Sequence, residues 1–547
     1  MYTAGFALLA VLILFAIGLN HLVPYLQDLH TLRSCPGPTL AKLSDLWLGR
    51  VAAQGHRSEV VHELHKQYGT FVRLAPNHLS VASPRAIQEV YAHGSGATKS
   101  DFYDAFVSIT RGLMSTRSRT EHTRKRKLVA HVFSQKSVLE FEPYTHTHVA
   151  ALLRQWDRLL ELGEKGGKGE EGEGWYGRMG RVWMDCLPWL NYLAFDIIGM
   201  TLVFTTKPKG DLAFGAPFGM LQACADSAPT VLSQESAMSA YGSSEKDAPE
   251  ITYVPAVRII NERGDYSASI GVLPPHWRPW LVRFVPWYRN GNTSVHLLAG
   301  IAIAAISKRL AGPPTERTDL LAKLQAGRDE EGRPLGAKEL TADALTQLIA
   351  GSDTTSNSSC AIAYYLAANP EAQQKLQTEL DAALGGTYDP VVSYERARRL
   401  PYLEAVINEG LRIHSTSGLG LPREVPPGGL TVCGRYFPEG TILSVPTYTV
   451  HRDPEIWGYD ADVFRPERWI ERDKTELQKA FNPFSFGPRG CIGRNLGMME
   501  LFIIVASVFR RYHFVLENPN QELNTKEGFL RKPVACRVGI QLRAVST

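Results

Sequence analysis

The run FSFGPRGCIG sets Phe484, Gly487, Arg489, Cys491 and Gly493 close to the C-terminal end of a 547-residue chain that has only seven cysteines. A thiolate is a nucleophile and a soft metal ligand. Glycines at 487, 490 and 493 allow the backbone to approach a flat ligand or to turn main-chain N–H groups toward the sulfur. The bland alternative is a thiol that packs as a small hydrophobe. Three other constellations carry chemistry. Glu409 and Arg412 lie three apart on one helical face and can pair, although such pairs usually sit on solvated surfaces. The stretch AGSDTT (350–355) puts a glycine and two threonines at the centre of a strong helical run from 345 to 366. There Asp353 and Thr354 suit proton delivery, and the alternative is threonine hydroxyls bonded to i−4 carbonyls. HTRKRK (122–127) is a basic helix start whose simplest reading is a solvated face.

The spacing of Phe484, Gly487, Arg489, Cys491 and Gly493 resembles the haem-thiolate signature of the cytochrome P450 family. The resemblance implies that Cys491 is the axial ligand of a haem b (iron protoporphyrin IX), its sulfur donating electron density that favours O–O cleavage. It implies that Arg489, Arg126 and Arg423 face haem propionates, since guanidinium forks suit carboxylates. His122 stands where the family has a tryptophan and takes that role with it. Thr354 and Asp353 become the catalytic pair that serves oxygen activation, Asp353 relaying protons from solvent. In FRPERW (464–469) the resemblance makes Arg468 the third member of a buried network with Glu409 and Arg412, structural and not catalytic. Arg124, Lys125, Lys127 and Arg494 are available as a positive face for an acidic flavoprotein.

Within the family, SDFYDAFVSI (100–109), FEPY (141–144), AFGAPFGM (213–220) and LTQLIAGSDTTSN (345–357) look like the fungal benzoate para-hydroxylases. That group implies microsomal insertion of one oxygen atom para to a benzoate carboxylate. The electrons come from NADPH through NADPH–cytochrome P450 reductase, with cytochrome b5 as an additional electron donor to be considered. Residues 200–210, MTLVFTTKPKG, depart from the pattern, as a retained intron or gene-model error or as a real loop near the pocket roof. An aromatic acid needs a cation or hydroxyl in an otherwise apolar pocket, and Arg111 and Tyr103 are candidates by type and position. The rival readings are a family member acting on another phenolic or secondary-metabolite substrate, and a membrane haem carrier or sensor.

These groups need a scaffold. A net charge of +4 and 44% hydrophobic residues favour a globular chain and give no sign of nucleic-acid binding. The odd, dispersed cysteines without a CxxC pair argue against a disulfide framework and suit a reducing compartment. Residues 1–27 contain no Asp, Glu, Lys or Arg and offer about 20 mostly apolar positions, enough to span a bilayer. Positive charge follows at Arg33, Lys42, Arg50 and Arg57, so the body is expected on the cytosolic side of an endoplasmic reticulum membrane, held by a single span. The expected divisions are an anchor at 1–27, a linker with a proline-rich hinge (35–38) at 28–40, and a catalytic domain at 41–547. Apolar periodicity predicts helices at 84–91, 122–133, 144–161, 189–198, 295–310, 341–368, 370–383, 402–413 and 494–511. Short strands are predicted at 69–74, 78–81, 430–432 and 441–445. The glycine- and charge-rich tract 163–174 reads as a surface loop. The fold class is mainly α (α+β), and the resemblance makes it the cytochrome P450 fold with a small β-rich lobe and an N-terminal transmembrane helix.

Overall fold

The computed structural model describes residues 11–12, 15, 18–19, 21–169, 174–202, 218–239, 250–311, 320–327, 332, 334–385 and 389–543. Helices dominate, and the longest, Ala337–Ala368, runs through the core. It packs against the helices Cys186–Leu202, Pro286–Ala311, Pro401–His414 and Arg494–Arg511. Its C-terminus is set by Asn369-Pro370. A residue before proline is steered out of the helical region, and Asn369 adopts φ −125° and ψ 80° while Pro370 opens the next helix. Gly351 is needed for packing: a Cβ there would lie 2.6 Å from Ile198 Cδ1. The helix continues unbroken through the AGSDTT stretch.

The predicted helices are present, most of them a few residues longer than the apolar pattern shows. The basic helix spans Arg119–Ala130, begun by the Ser118 hydroxyl accepting from the Glu121 N–H, and a 3-10 turn completes the run to Phe133. A five-stranded sheet has the order Phe71–Ala75, His78–Val81, Ile442–Ser444, Arg423–Glu424, Thr98–Lys99. Its last antiparallel pair puts Lys99 directly opposite Arg423. A second apolar cluster, with Leu79, Phe437, Leu443, Trp457 and Trp469, lies beneath this sheet. A hairpin of Thr525–Glu527 and Arg531–Pro533 carries Phe529 and Leu530 at its tip. The helix Ala256–Ile270, packed across Pro286–Ala311, escapes the periodicity reading because its apolar face is interrupted by arginine, glycine and serine that are nonetheless buried.

One expectation changes. The CPGP segment is no free hinge: Cys35 is fully buried and the Pro36 carbonyl accepts from the Arg73 N–H at 2.8 Å. Gly37 lies against the Arg73 carbonyl, where a Cβ would come to 2.4 Å. Arg57, the last of the four positive charges after the uncharged run, is internal. Among the described residues no helix is long and apolar enough to cross a membrane. The anchor expected over 1–27 falls largely on residues 1–10, 13–14, 16–17 and 20, and the 200–210 segment largely on 203–217, all outside the described residues. Both flanks of the 163–174 tract are described, and residues 170–173 are not.

Candidate active site

Cys491 sits where the loop after Asn482 meets the start of the helix Arg494–Arg511. Its N–H donates to the Phe484 carbonyl at 2.8 Å, closing the loop on itself. Of the three glycines only Gly487 takes a left-handed φ, 70°, and a Cβ there would meet the Tyr91 carbonyl at 1.9 Å. The freedom expected of the glycines is thus used at one position, to seat the loop on its neighbour. The Cys491 side chain is exposed yet lies deep in the protein, because it faces an internal chamber. Burial pushes its thiol above the ordinary value, while the Gly493 N–H, Arg126 and Arg494 pull it back and would favour a thiolate ligated to a metal.

The chamber has two lobes of about 270 and 240 Å³ that share Lys99, Thr354, Phe484, Arg489, Cys491 and Phe529. Cations crowd one end. Arg126 donates to the Gly490 carbonyl at 2.9 Å. Arg489 donates to the Thr116 and Arg117 carbonyls at 2.7 and 2.9 Å. Arg423 donates to the Tyr103 hydroxyl at 2.8 Å, and its other terminal nitrogen is buried without a partner. Lys99 is buried opposite Arg423, and burial together with Arg423, Arg489 and Arg126 drives its ammonium well below the usual range. Burial, then Arg489, Lys99, Arg126 and Arg423, brings His122 down to about 3, so it is neutral here. Among the described residues that line either lobe, Glu500, in the larger one, is the only carboxylate. Like charges facing each other across a strand pair destabilise a sheet unless an anion lies between them. A planar ligand with a metal at its centre and two carboxylates at its edge meets all of these demands, so the residues present fit haem.

The central helix forms the opposite wall. Thr354 lines both lobes and its hydroxyl donates to the Ala350 carbonyl at 2.6 Å, the local i−4 bond that the sequence allowed as an alternative. Asp353 is buried beside it and lines neither lobe. One carboxylate oxygen lies 3.0 Å from Lys532 Nζ, and the other accepts from the Asn357 amide at 3.0 Å. The Thr355 hydroxyl donates to Glu500 at 2.7 Å, and burial pushes the Glu500 carboxyl up to about 7.

The network behind the cysteine loop is complete. Glu409 accepts from Arg412 Nε at 2.8 Å, Arg468 Nε at 2.9 Å and the Trp469 indole at 3.0 Å, and Glu409, Arg412 and Arg468 have no exposed side-chain surface. Against burial, which raises it, Arg412 and Arg468 hold the Glu409 carboxyl below its usual range. Arg412 also donates to the His451 carbonyl, and His451 Nε2 accepts from the Asn482 N–H at 3.1 Å. The ion network therefore reaches the first residue of the cysteine loop.

Other sequence candidates lie elsewhere. Arg111 is on the surface, paired with Asp104 beside an outer cleft, and does not line the chamber. Tyr103 lines it, at the Arg423 end. Arg124 and Lys125 face Glu121 and Glu339, which removes them from the expected positive face, whereas Lys127 and Arg494 are exposed. Lys99, Glu500, Lys532 and Arg263 escape the sequence reading because none belongs to a local motif. So does the meeting of Cys186, Cys360 and Cys536, whose sulfurs lie within 4.8 Å of one another in the core. Burial holds the Cys360 thiol above its ordinary value.

A family model described as Cytochrome P450 matches residues 243–539. Benzoate 4-monooxygenase bphA of Aspergillus niger is 46% identical over 533 residues, covering 96% of this chain and 95% of that protein. Cytochrome P450 monooxygenase gsfF of Penicillium aethiopicum is 28% identical over 533 residues, 95% of each chain. Cytochrome P450 monooxygenase cicH of Emericella nidulans is 27% identical over 525 residues, 93% of each chain.

Proposed function

Because this chain belongs to the cytochrome P450 family, we propose that it is the monooxygenase that converts benzoate to 4-hydroxybenzoate. The observation that carries the substrate is the 46% identity, end to end, with a benzoate 4-monooxygenase. Haem b bound in the chamber supplies the activation of O₂ and the oxidation of the ring, using two electrons from NADPH through a reductase. One oxygen atom enters the product and the other leaves as water.

The residues of the chain have separable tasks. Cys491 is the metal ligand, with the Gly493 N–H directed at its sulfur. Lys99, Arg126, Arg423 and Arg489 hold the propionates, and neutral His122 packs among them without adding charge. Phe106, Phe529 and Leu530 form an apolar wall that keeps water from a bound ring. Thr354 is the hydroxyl at the chamber wall that hands on a proton, and Asp353 behind it, oriented by Lys532, relays protons to it. Lys127 and Arg494 remain as the basic face for an acidic reductase.

The same reading places the enzyme on the endoplasmic reticulum membrane with its catalytic body in the cytosol. It is supported by the uncharged run 1–27 and by an exposed aromatic ridge on the helix Arg278–Phe284. There Trp280 and Phe284 stack at 5.8 Å, and neighbouring Trp277 meets His21 at 5.5 Å. Carbonate-resistant retention in microsomes, abolished by deleting residues 1–27, is expected; extraction of the full chain by carbonate excludes the anchor.

The deciding experiment is reconstitution of the haem-loaded protein with a fungal reductase, NADPH and benzoate. Stoichiometric 4-hydroxybenzoate is the expected product. A protein with an intact thiolate-ligated haem that leaves benzoate unchanged overturns the substrate reading.

A further inference from the structure

Arg263, on the helix Ala256–Ile270, lines the larger lobe and is only 7% exposed. One of its terminal nitrogens donates to the Phe106 carbonyl at 2.8 Å, and its Nε–H has no partner. Burial lowers its pKa to about 10, which leaves it charged at neutral pH. Asp353, the carboxylate whose charge acts on it, has both oxygens committed to Lys532 and Asn357. Lys532 in turn is shared between Asp353 and Asn261. Arg263 thus faces the chamber while the Lys532–Asp353 pair lies behind the wall with its charges matched to each other, and a buried guanidinium with open valence is costly unless an anion completes it.

The surroundings define the shape of that anion. Phe106 and Phe529 lie beside Arg263 at the chamber wall, their rings 4.8 Å apart and steeply inclined, and Ile198, Ala350 and Gly351 continue the lining. These side chains give Arg263 an apolar wall against which one flat ring with a single charged end can lie. The propionate-binding cations Lys99, Arg126, Arg423 and Arg489 form a separate group, so their charge is not available to a substrate.

Resting on the benzoate reading, we propose that Arg263 is the residue that receives the substrate's carboxylate and thereby sets para selectivity. In benzoate the para carbon is at the end of the ring opposite the carboxylate. Anchoring the carboxylate at Arg263 makes that carbon the part of the ring presented to the Cys491 side of the chamber. Arg263 is thus a specificity residue, and no proton or electron passes through it.

The test uses the haem-loaded enzyme, with binding followed by calorimetry and by the substrate-induced Soret shift. Benzoate, benzamide and methyl benzoate are compared in the wild type, Arg263→Met and Arg263→Lys. The wild type is expected to prefer benzoate strongly over the two neutral analogues. Arg263→Met is expected to weaken benzoate binding at least about 30-fold, the usual effect of removing one partner of a buried charge pair, while leaving the neutral ligands unchanged. Arg263→Lys is expected to retain part of the preference, which keeps the test decisive where the methionine variant does not fold. Equal weakening of all three ligands, or unchanged benzoate binding in a variant with an intact thiolate spectrum, overturns the assignment. A wild type that does not bind benzoate sinks the substrate reading itself, a result distinct from failure at Arg263 alone.

Discussion

Lys532 Nζ lies 3.0 Å from Asp353 Oδ2, and each side chain is only 9% exposed. The pair joins the C-terminal hairpin to the residue of the central helix that precedes Thr354. Through it a residue 179 positions further along the chain bears on the proton-handling segment. Removing one partner of a buried pair leaves an uncompensated charge.

Lys532→Met is therefore expected to cost about 3 kcal/mol of stability, read from urea unfolding of the haem-loaded protein. It is also expected to lower the product formed per NADPH consumed, because Asp353 loses the partner that orients it. A variant with wild-type stability and coupling contradicts the importance of the pair.

Glu409→Gln breaks the network of Glu409, Arg412 and Arg468 and leaves two buried guanidinium groups short of one charge. A loss of about 3–5 kcal/mol is expected, accompanied by faster haem release because Arg412 supports His451 and the loop at Asn482. The exposed pair of Lys474 and Glu404, at 3.2 Å, is the control: Glu404→Ala should cost less than about 1 kcal/mol. Equal effects at the two sites would remove the distinction between buried and exposed pairs here.

Glu500 gives a pH signature. Burial raises its carboxyl from 4.5 to about 7, so between those values the folded chain keeps a proton that the unfolded chain has released. The group's contribution to stability is present in full below about pH 4.5 and is lost as pH rises through about 7. Glu500→Gln lacks this dependence. The wild type is expected to lose stability relative to the variant between pH 5 and 8, and a constant difference across that range counts against a raised carboxyl.

Cys491→Ser should fold, as judged by circular dichroism, yet lose turnover and the carbon monoxide band at the thiolate position. Persistence of that band would move the ligand to another of the seven cysteines.

Much of the scaffold is legible in the sequence because it is local. The strand His78–Val81 and the helices Pro84–Tyr91 and Arg494–Arg511 follow from apolar periodicity with the boundaries observed. The cysteine loop is legible because its chemistry is concentrated in one run. Arg263 and Lys99 are not, since a cavity wall is assembled from segments far apart in the chain. Lys99 reads as an isolated charge until the sheet pairs it with Arg423. Arg111 misleads for the complementary reason: it is near the right segment, but Asp104 is within reach and holds it at the surface. The three cysteines of the core show the same limit, their spacing of 174 and 176 positions concealing a common neighbourhood.

The facing of Lys99 and Arg423 also bears on how the protein survives in a cell. A sheet edge that buries a lysine against an arginine, and works against the lysine's charge until an anion is there, is a poor resting structure for a newly made chain, and any ligand that binds only the folded form stabilises it by mass action. Supply of the prosthetic group then governs abundance as well as activity: chains synthesised faster than haem reaches them spend longer partly open, where proteases remove them.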